Sequence, residues 1–540
     1  MQRRLITTEA TDTLSYSAFI ILEESEVKNL ATFALSVSDS IAHEDTPRTI
    51  TELAMSQFSA EIRRSPGWWK CCPESNIKNA WFDSAVDRTW RVKTPSSHAE
   101  VKLSARQYKI DYILDELQGY AALRDEKHQC QVSCFERVWE SESVLDEEIS
   151  LALRQSLDKI KALLQQNEDN ITTDIIDHQR YPLVYNRTLV SHLNGRNYRS
   201  IPPPPSTDIY TVSPTFALLP SDVFVSADCS SVEFLSYINN LDPTRHSGTY
   251  VLLQKLLAGF MPLFEHTLTD LHRNNPLVQR IPGSCRYTVW EEPEPPDHSD
   301  DDEGWVNYER EMRQWALNRP INLPDVPSTG YPGGLENRRH TVTLRNRVVQ
   351  VIAFLGMWKE CGDNITNTSI QFRMAVTYPK GFSAGDAGAT LRTWGIRDGD
   401  SCHQYIGEVP VRPGLGLVFP NIYQHRQTSF ELRDPSKQGH MTVIRFFLVD
   451  PEIRPIVSTS VVAPQQKDWI HKALDDNLDN RLPNEVIEKI LNNVEGLMDE
   501  SEADSYKKEL LEARKRFTRA SNSYHFCIPF DIWNGPEVVP

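Results

Sequence analysis

The chain has 540 residues, with 74 acidic and 57 basic side chains and a formal net charge of −17 at pH 7. Its 39% hydrophobic and 24% charged residues are those of a globular protein of several domain-sized units, which excludes a collagen, a coiled-coil rod and wholesale disorder. So acidic a chain offers no general counter-charge to a phosphate backbone or an anionic lipid surface, and neither nucleic acid nor a membrane is the expected partner.

The opening residues, MQRRLITTEATDTL, have no apolar stretch of the kind a secretory signal needs. Nine scattered cysteines fit reduced thiols better than a disulfide framework, so the cytoplasm or nucleus is the expected compartment.

Residues 20–165 read mainly as helix. ITELAMSQFSAEIRR predicts an amphipathic helix ending at Pro66-Gly67, and LDEEISLALRQSLDKIKALLQQ aligns Leu145, Ile149, Leu153, Leu157, Ile160 and Leu164 near one face. From Asp174 the texture changes to short β-forming pieces, YPLVY and SDVFVSA, interrupted by the extended Pro202 to Pro205 run. Thr249 to Leu271 predicts a long apolar helix packed on a sheet, kinked or divided at Pro262. Eight acids between Glu291 and Glu303 make a solvated linker of residues 291–304.

Residues 341–450 are the most β-like part of the chain. VVQVIAFL, IQFRMAVTY, YIGEVPV, LGLVF and MTVIRFFLV, separated by Gly-, Asp- and Pro-containing turns, predict a sandwich or barrel. Helix returns after Gln465. The expected organisation is a helical region 1–175, connector strands and a packing helix 176–290, the acidic linker 291–304, a β-core 305–464 and a helical tail 465–540.

No GxxxxGK, GxGxxG or GxSxG motif is present, so a nucleotide loop and the common serine-hydrolase elbow have no support. His128, Cys130 and Cys134, in a region read as helical, lack the fourth ligand of a structural zinc site and are read as buried small side chains. His-x-acid pairs at His43/Asp45, His98/Glu100 and His298/Asp300 are no more frequent than chance, and all lie outside the β-rich segment.

The segment FPNIYQHRQTSFELRDPSKQGHMTVIRFFLVDP is more informative. A strand ends at Phe419-Pro420-Asn421, a turn places His425 near its mouth, and a later strand puts Met441, Val443 and Arg445 on one face. An arginine among apolar strand residues needs an anion, so Arg445 is either salt-bridged or an anion clamp. A histidine followed about twenty residues later by an arginine of the same sheet is the order used for iron and a dicarboxylate.

Together with SPGWWK, YPLVYNRT, LPSDV, SYINNLDP, PLFEHTLTDL, YPGG and DNIT, this segment resembles, motif by motif and in order, the mostly fungal family of domain of unknown function 4246. The resemblance implies an α+β protein with a double-stranded β-helix (jelly-roll) core of the iron(II)/2-oxoglutarate oxygenase kind, a helical N-terminal elaboration and a C-terminal helical tail. It implies Fe(II) held by His340 and His425, 2-oxoglutarate held by Arg445, and a small-molecule or protein substrate.

Where family members follow YPGG with Trp-His-x-Glu-Gly, this chain has LENRRHTVTLRN, so Val342 stands at the carboxylate position. The arginine of the family's Gly-His-Arg is Met441 here, and INLPDVPSTG replaces an apolar strand. The alternative expectation is a non-catalytic β-helix scaffold or binding protein that has lost the metal.

Overall fold

The computed structural model describes residues 46–534, except 104–107, 164–171, 192–197, 205–212, 288–290, 359–364, 367, 413, 429–430, 433, 435–440, 453–454 and 478–481. The expected helix before residue 46, Leu164 and Pro205 therefore lie outside the described residues. In chain order the longer elements begin with α1 (Ile50–Arg63), α2 (Ser75–Val86), the hairpin β1 (Thr89–Lys93) and β2 (His98–Lys102), and α3 (Tyr108–Leu123). A second hairpin, β3 (Cys130–Val132) and β4 (Trp139–Ser141), precedes α4 (Glu147–Leu163), β5 (Thr172–Ile176), β6 (Ser221–Val225), β7 (Val232–Phe234) and α5 (Ser247–Leu271). After α6 (Asp302–Asn318) come β8 (Val348–Trp358), β9 (Ser369–Ala375), α7 (Ala387–Trp394), β10 (His403–Pro410), β11 (Gly416–Val418), β12 (Tyr423–Gln427) and β13 (Met441–Leu448). The helices α8 (Lys467–Asn477), α9 (Asn484–Leu491) and α10 (Glu500–His525) follow.

Local chemistry fixes several of these boundaries. The Thr49 hydroxyl accepts the Glu52 N–H at 3.0 Å and caps α1. Asp499 caps α10 through the Glu502 N–H in the same way. Pro262 neither ends nor divides α5, which runs unbroken through it. Its flanks Met261, Leu263 and Phe264 are fully buried, and this packing outweighs the one backbone bond that a proline removes.

The largest sheet has the order β7-β6-β8-β13, all antiparallel, with β5 also pairing β8. β8 is long enough to pair β6 along its first half and β5 along its second, while β13 runs the length of its other edge. A second sheet has the order β10-β9-β12, and a third β11-β4-β3. The sheets are antiparallel, and the fold is a mixture of helix and small sheets.

β8 divides the two main apolar clusters. Val349, Val351, Ala353 and Leu355 face a first cluster that also contains Leu253, Leu257, Met261 and Phe264 of α5. Ile352 and Phe354, on the alternate face, join Phe447 of β13 with Phe372, Ile406 and Tyr423 of the second sheet in another cluster.

Three expectations are amended. The N-terminal region, read as mainly helical, also carries β1–β2 and β3–β4, so Cys130 lies on a strand and not in a helix. The acidic linker is exposed but shorter than 291–304, because the Asp301 side chain accepts the Gly304 N–H at 2.9 Å and Asp302 and Glu303 form the first turn of α6. Acids at a helix N-terminus are favoured by its dipole, so the charge run starts a helix as well as a loop. The segment INLPDVPSTG does carry a strand, Ile321–Asn322, paired with Arg286–Tyr287.

Arg280, in the loop after α5, ties the helical layer together. Its Nε lies 2.8 and 2.9 Å from the two carboxylate oxygens of Glu116, and Nη2 lies 2.6 Å from Glu136 and 2.7 Å from the Tyr120 hydroxyl. Its backbone N–H donates to Glu52 at 3.0 Å. Burial alone would raise the Glu136 pKa, yet Arg280 and Arg48 hold it down at about 2. Replacing Arg280 by Met leaves three buried carboxylates without their shared cation and is expected to cost about 3–5 kcal/mol of folding free energy. Chemical denaturation of the full chain measures it.

Candidate functional site

The side chains of interest collect where the largest sheet faces the second one. Arg445 sits on β13 opposite Phe354 of β8, is 3% exposed, and holds its guanidinium carbon 4.9 Å from the Phe354 ring centroid. A cation over an aromatic face in a dry layer is an attractive arrangement. His425 sits on β12 opposite Phe372, half-buried, with its ring 4.9 Å from Phe419 and 6.4 Å from Phe372. Both residues contact members of the second apolar cluster.

The expected same-sheet pairing of His425 and Arg445 is corrected. β12 belongs to the second sheet and β13 to the largest, so the two residues face the shared layer from different sheets. His425 lies within a strand that follows the turn, and Phe419 and Tyr423 on either side of that turn are both drawn into the core.

His340 lies elsewhere. It is exposed, stacks on His272 at 3.6 Å just beyond the end of α5, and its carbonyl accepts from the Asn275 side chain. Val342 is 6% exposed within the first cluster, and its N–H donates to Thr269 Oγ1 of α5 at 3.0 Å. The expected pairing of His340 with His425 is therefore not formed: one residue belongs to the α5 side of β8 and the other to the opposite side. Among the described residues no three His, Cys, Asp or Glu side chains come together as a metal-binding group. The Gly-His pair before Met441 lies outside the described residues.

His178, just after β5, is a neighbour of Arg445 that no motif or spacing had singled out. It is 4% exposed, with its ring 5.2 Å from Phe354 and 5.6 Å from Phe447. Its Nε2 lies 3.5 Å from an Arg514 nitrogen of α10. An arginine can only donate, so Nε2 is the acceptor and the ring proton resides on Nδ1. That Nδ1 is buried and has no hydrogen-bond partner among the described residues. Burial, then the nearby charges of Arg514, Arg445 and Lys507, hold its pKa well below the ordinary histidine value. Lys507 itself bridges Asp177 at 2.6 Å. The arrangement is a buried N–H donor among cations, which is chemistry suited to an anionic oxygen.

A second missed group is Asp125, which lies 2.6 Å from His128 Nδ1 and 3.4 Å from His266 Nε2. Burial would raise its pKa, but the hydrogen bonds from the two histidines hold it well below the usual carboxylate range. His266 stacks on Trp139 at 4.2 Å, so the cluster clips the β3–β4 hairpin to α5. The thiols of Cys130 and Cys134 are pushed up to about 12, first by burial, which agrees with their reading as inert small side chains.

The family model for the protein of unknown function DUF4246 matches residues 107–356 and 361–473, and the chain belongs to that family. Comparison with the curated proteins and with the solved structures gives no match. The matched stretches contain His178, His340, His425 and Arg445, whereas Lys507 and Arg514 of α10 lie beyond them. No helix among the described residues is long and apolar enough to cross a membrane.

Two neutral imidazoles lie under α10: His178, and His403, whose Nδ1 is 3.3 Å from the Phe526 carbonyl. Burial, reinforced by Arg373, lowers the His403 pKa from 6.5 to about 4. The unfolded chain thus takes up a proton at higher pH than the folded one. The stability contributed by the neutral ring is complete above 6.5 and is lost as pH falls toward 4. Denaturation midpoints are expected to drop between about pH 7 and about pH 5, and His403→Gln is expected to flatten part of that slope.

Proposed function

We propose that the chain is a double-stranded β-helix protein of the iron(II)/2-oxoglutarate oxygenase kind that has kept the anion-holding side of the site without the iron, and that it binds an organic carboxylate without oxidising it. The observation supporting this reading is the division of the candidate residues by β8. His340 and Val342 pack on the α5 side, while His425, Arg445 and His178 belong to the layer between the sheets. A two-histidine, one-carboxylate iron site needs its donors on one centre. Residues 340, 342 and 425 do not fit that group.

What the layer can do is hold an anion. Arg445 brings a buried positive charge to the layer, and the His178 Nδ1–H is a buried donor beside it. The aromatic rings of Phe354 and Phe447 suit the carbon chain of a small organic acid.

The test uses the full chain with 2-oxoglutarate as the probe. Thermal stabilisation by 2-oxoglutarate is expected in the absence of metal, is expected to be lost in His178→Phe, and no succinate is expected after anaerobic loading with Fe(II) and exposure to oxygen. Succinate formation in proportion to bound iron would overturn the reading. Val342→Glu is expected to restore nothing, because it puts a carboxylate into the first apolar cluster at a cost of about 3–5 kcal/mol.

A further inference from the structure

A cleft of about 540 Å³ opens between α1, the β1–β2 hairpin and the outer side of β9 and β10. Its volume falls within the ~300–1,000 Å³ of small-molecule sites. The residues on its α1 and hairpin side, between 57 and 98, precede the family-matched stretches, whereas Cys134, Gln371, Tyr405, Gly407 and Glu408 on its other side lie within them.

Its charge is opposite to that of the molecule. Four permanent cations line it, Arg64, Arg88, Arg91 and Lys93, against two carboxylates, Glu61 and Glu408. In a chain of net charge −17, such a local excess of positive charge focuses an attractive potential on anions. Both carboxylates are already engaged: Glu61 with Arg88 at 2.8 Å, and Glu408 with the Gln371 amide at 2.9 Å.

Strand alternation puts Arg91 and Lys93 on one face of β1, roughly 7 Å apart along the chain. Arg91 is exposed and has no ion pair or hydrogen bond to its side chain among the described residues. Lys93 lies 4.0 Å over the Tyr405 ring and Arg88 lies 3.9 Å over the Trp90 ring, so both cations are held in place by aromatic faces. Trp90, on the alternate face of β1, is 4% exposed and packs on Phe58 of α1, which anchors the strand that carries Arg91 and Lys93.

We infer that this cleft binds a small organic phosphate carrying at least two negative charges, with Arg91 and Lys93 contacting the phosphate oxygens. A phosphoryl centre presents several charged oxygens to separate cations at once, which suits arginine and lysine side chains converging from one strand face. His98, the register partner of Lys93 on β2, stands at the rim.

The experiment is calorimetric titration of the full chain with inorganic pyrophosphate, with citrate as the carboxylate comparison. Saturable one-to-one binding of pyrophosphate is expected, accompanied by a change in tryptophan fluorescence. The double variant Arg91→Ala with Lys93→Ala is expected to weaken binding by about tenfold or more, since two charge-assisted contacts are lost. Arg412→Ala, at an exposed arginine outside the cleft that pairs with Glu142, is expected to leave the affinity unchanged. The absence of saturable pyrophosphate binding, equal affinity in a folded double variant, or tighter binding of citrate than of pyrophosphate would overturn the assignment.

Discussion

The helical half of the molecule is organised around one buried guanidinium. Arg280 comes from the loop after α5, yet its partners lie on α1, on α3 and in the β3–β4 turn. Hydrophobic burial would allow these elements to slide against one another, because apolar contact is non-directional. A planar fork of donors facing Glu116, Glu136 and the Tyr120 hydroxyl admits one arrangement, and the backbone N–H that holds Glu52 adds α1 to it. The geometry of the hairpins that line both the basic cleft and the third sheet is set from this point outward.

β8 plays the corresponding part in the β half. Because successive side chains alternate, a single strand supplies both the α5-packed cluster and the layer between the sheets. That alternation separates His340 from His425: the chain before β8 is drawn onto α5 by Val342 and Leu344, whereas β12 lies across the other layer. An arginine on β13 is retained in the dry layer because aromatic rings and the polar groups near His178 surround it.

Much of the fold was readable from period and punctuation. The strands VVQVIAFL, IQFRMAVTY and MTVIRFFLV and the helix from 247 to 271 carry strong β-branched or apolar signals, and the structure forms them close to the expected bounds. The short hairpins at 89–102 and 130–141 were not readable, since strands of three to five residues bounded by charged side chains have little periodicity to detect. Of the candidate site, Arg445 was visible as a charge in an apolar strand. His178 was not, because its neighbours come from β8, β13 and α10, and only tertiary packing joins them. Motif order placed His340 beside His425 in expectation, but spacing along a chain carries no information about which face of a strand the preceding loop will follow.

The docking of α10 has a kinetic meaning. The helix is fastened to the segment around residues 177–187 by Asp504 to Arg180 at 2.9 Å, by Glu502 to Arg187 at 2.8 Å and by Lys507 to Asp177, and Asn522 meets Gln424 of β12. More than 300 residues separate Arg180 from Asp504 and Arg187 from Glu502. During synthesis the 177–187 segment and the ring of His178 must therefore stay uncovered while the whole β-core is made, and only the arrival of α10 closes them. Contacts of such long sequence separation form slowly. The ring of His178 is thus covered only once the chain through Arg514 has been made, and until then it is open to a ligand or to a chaperone.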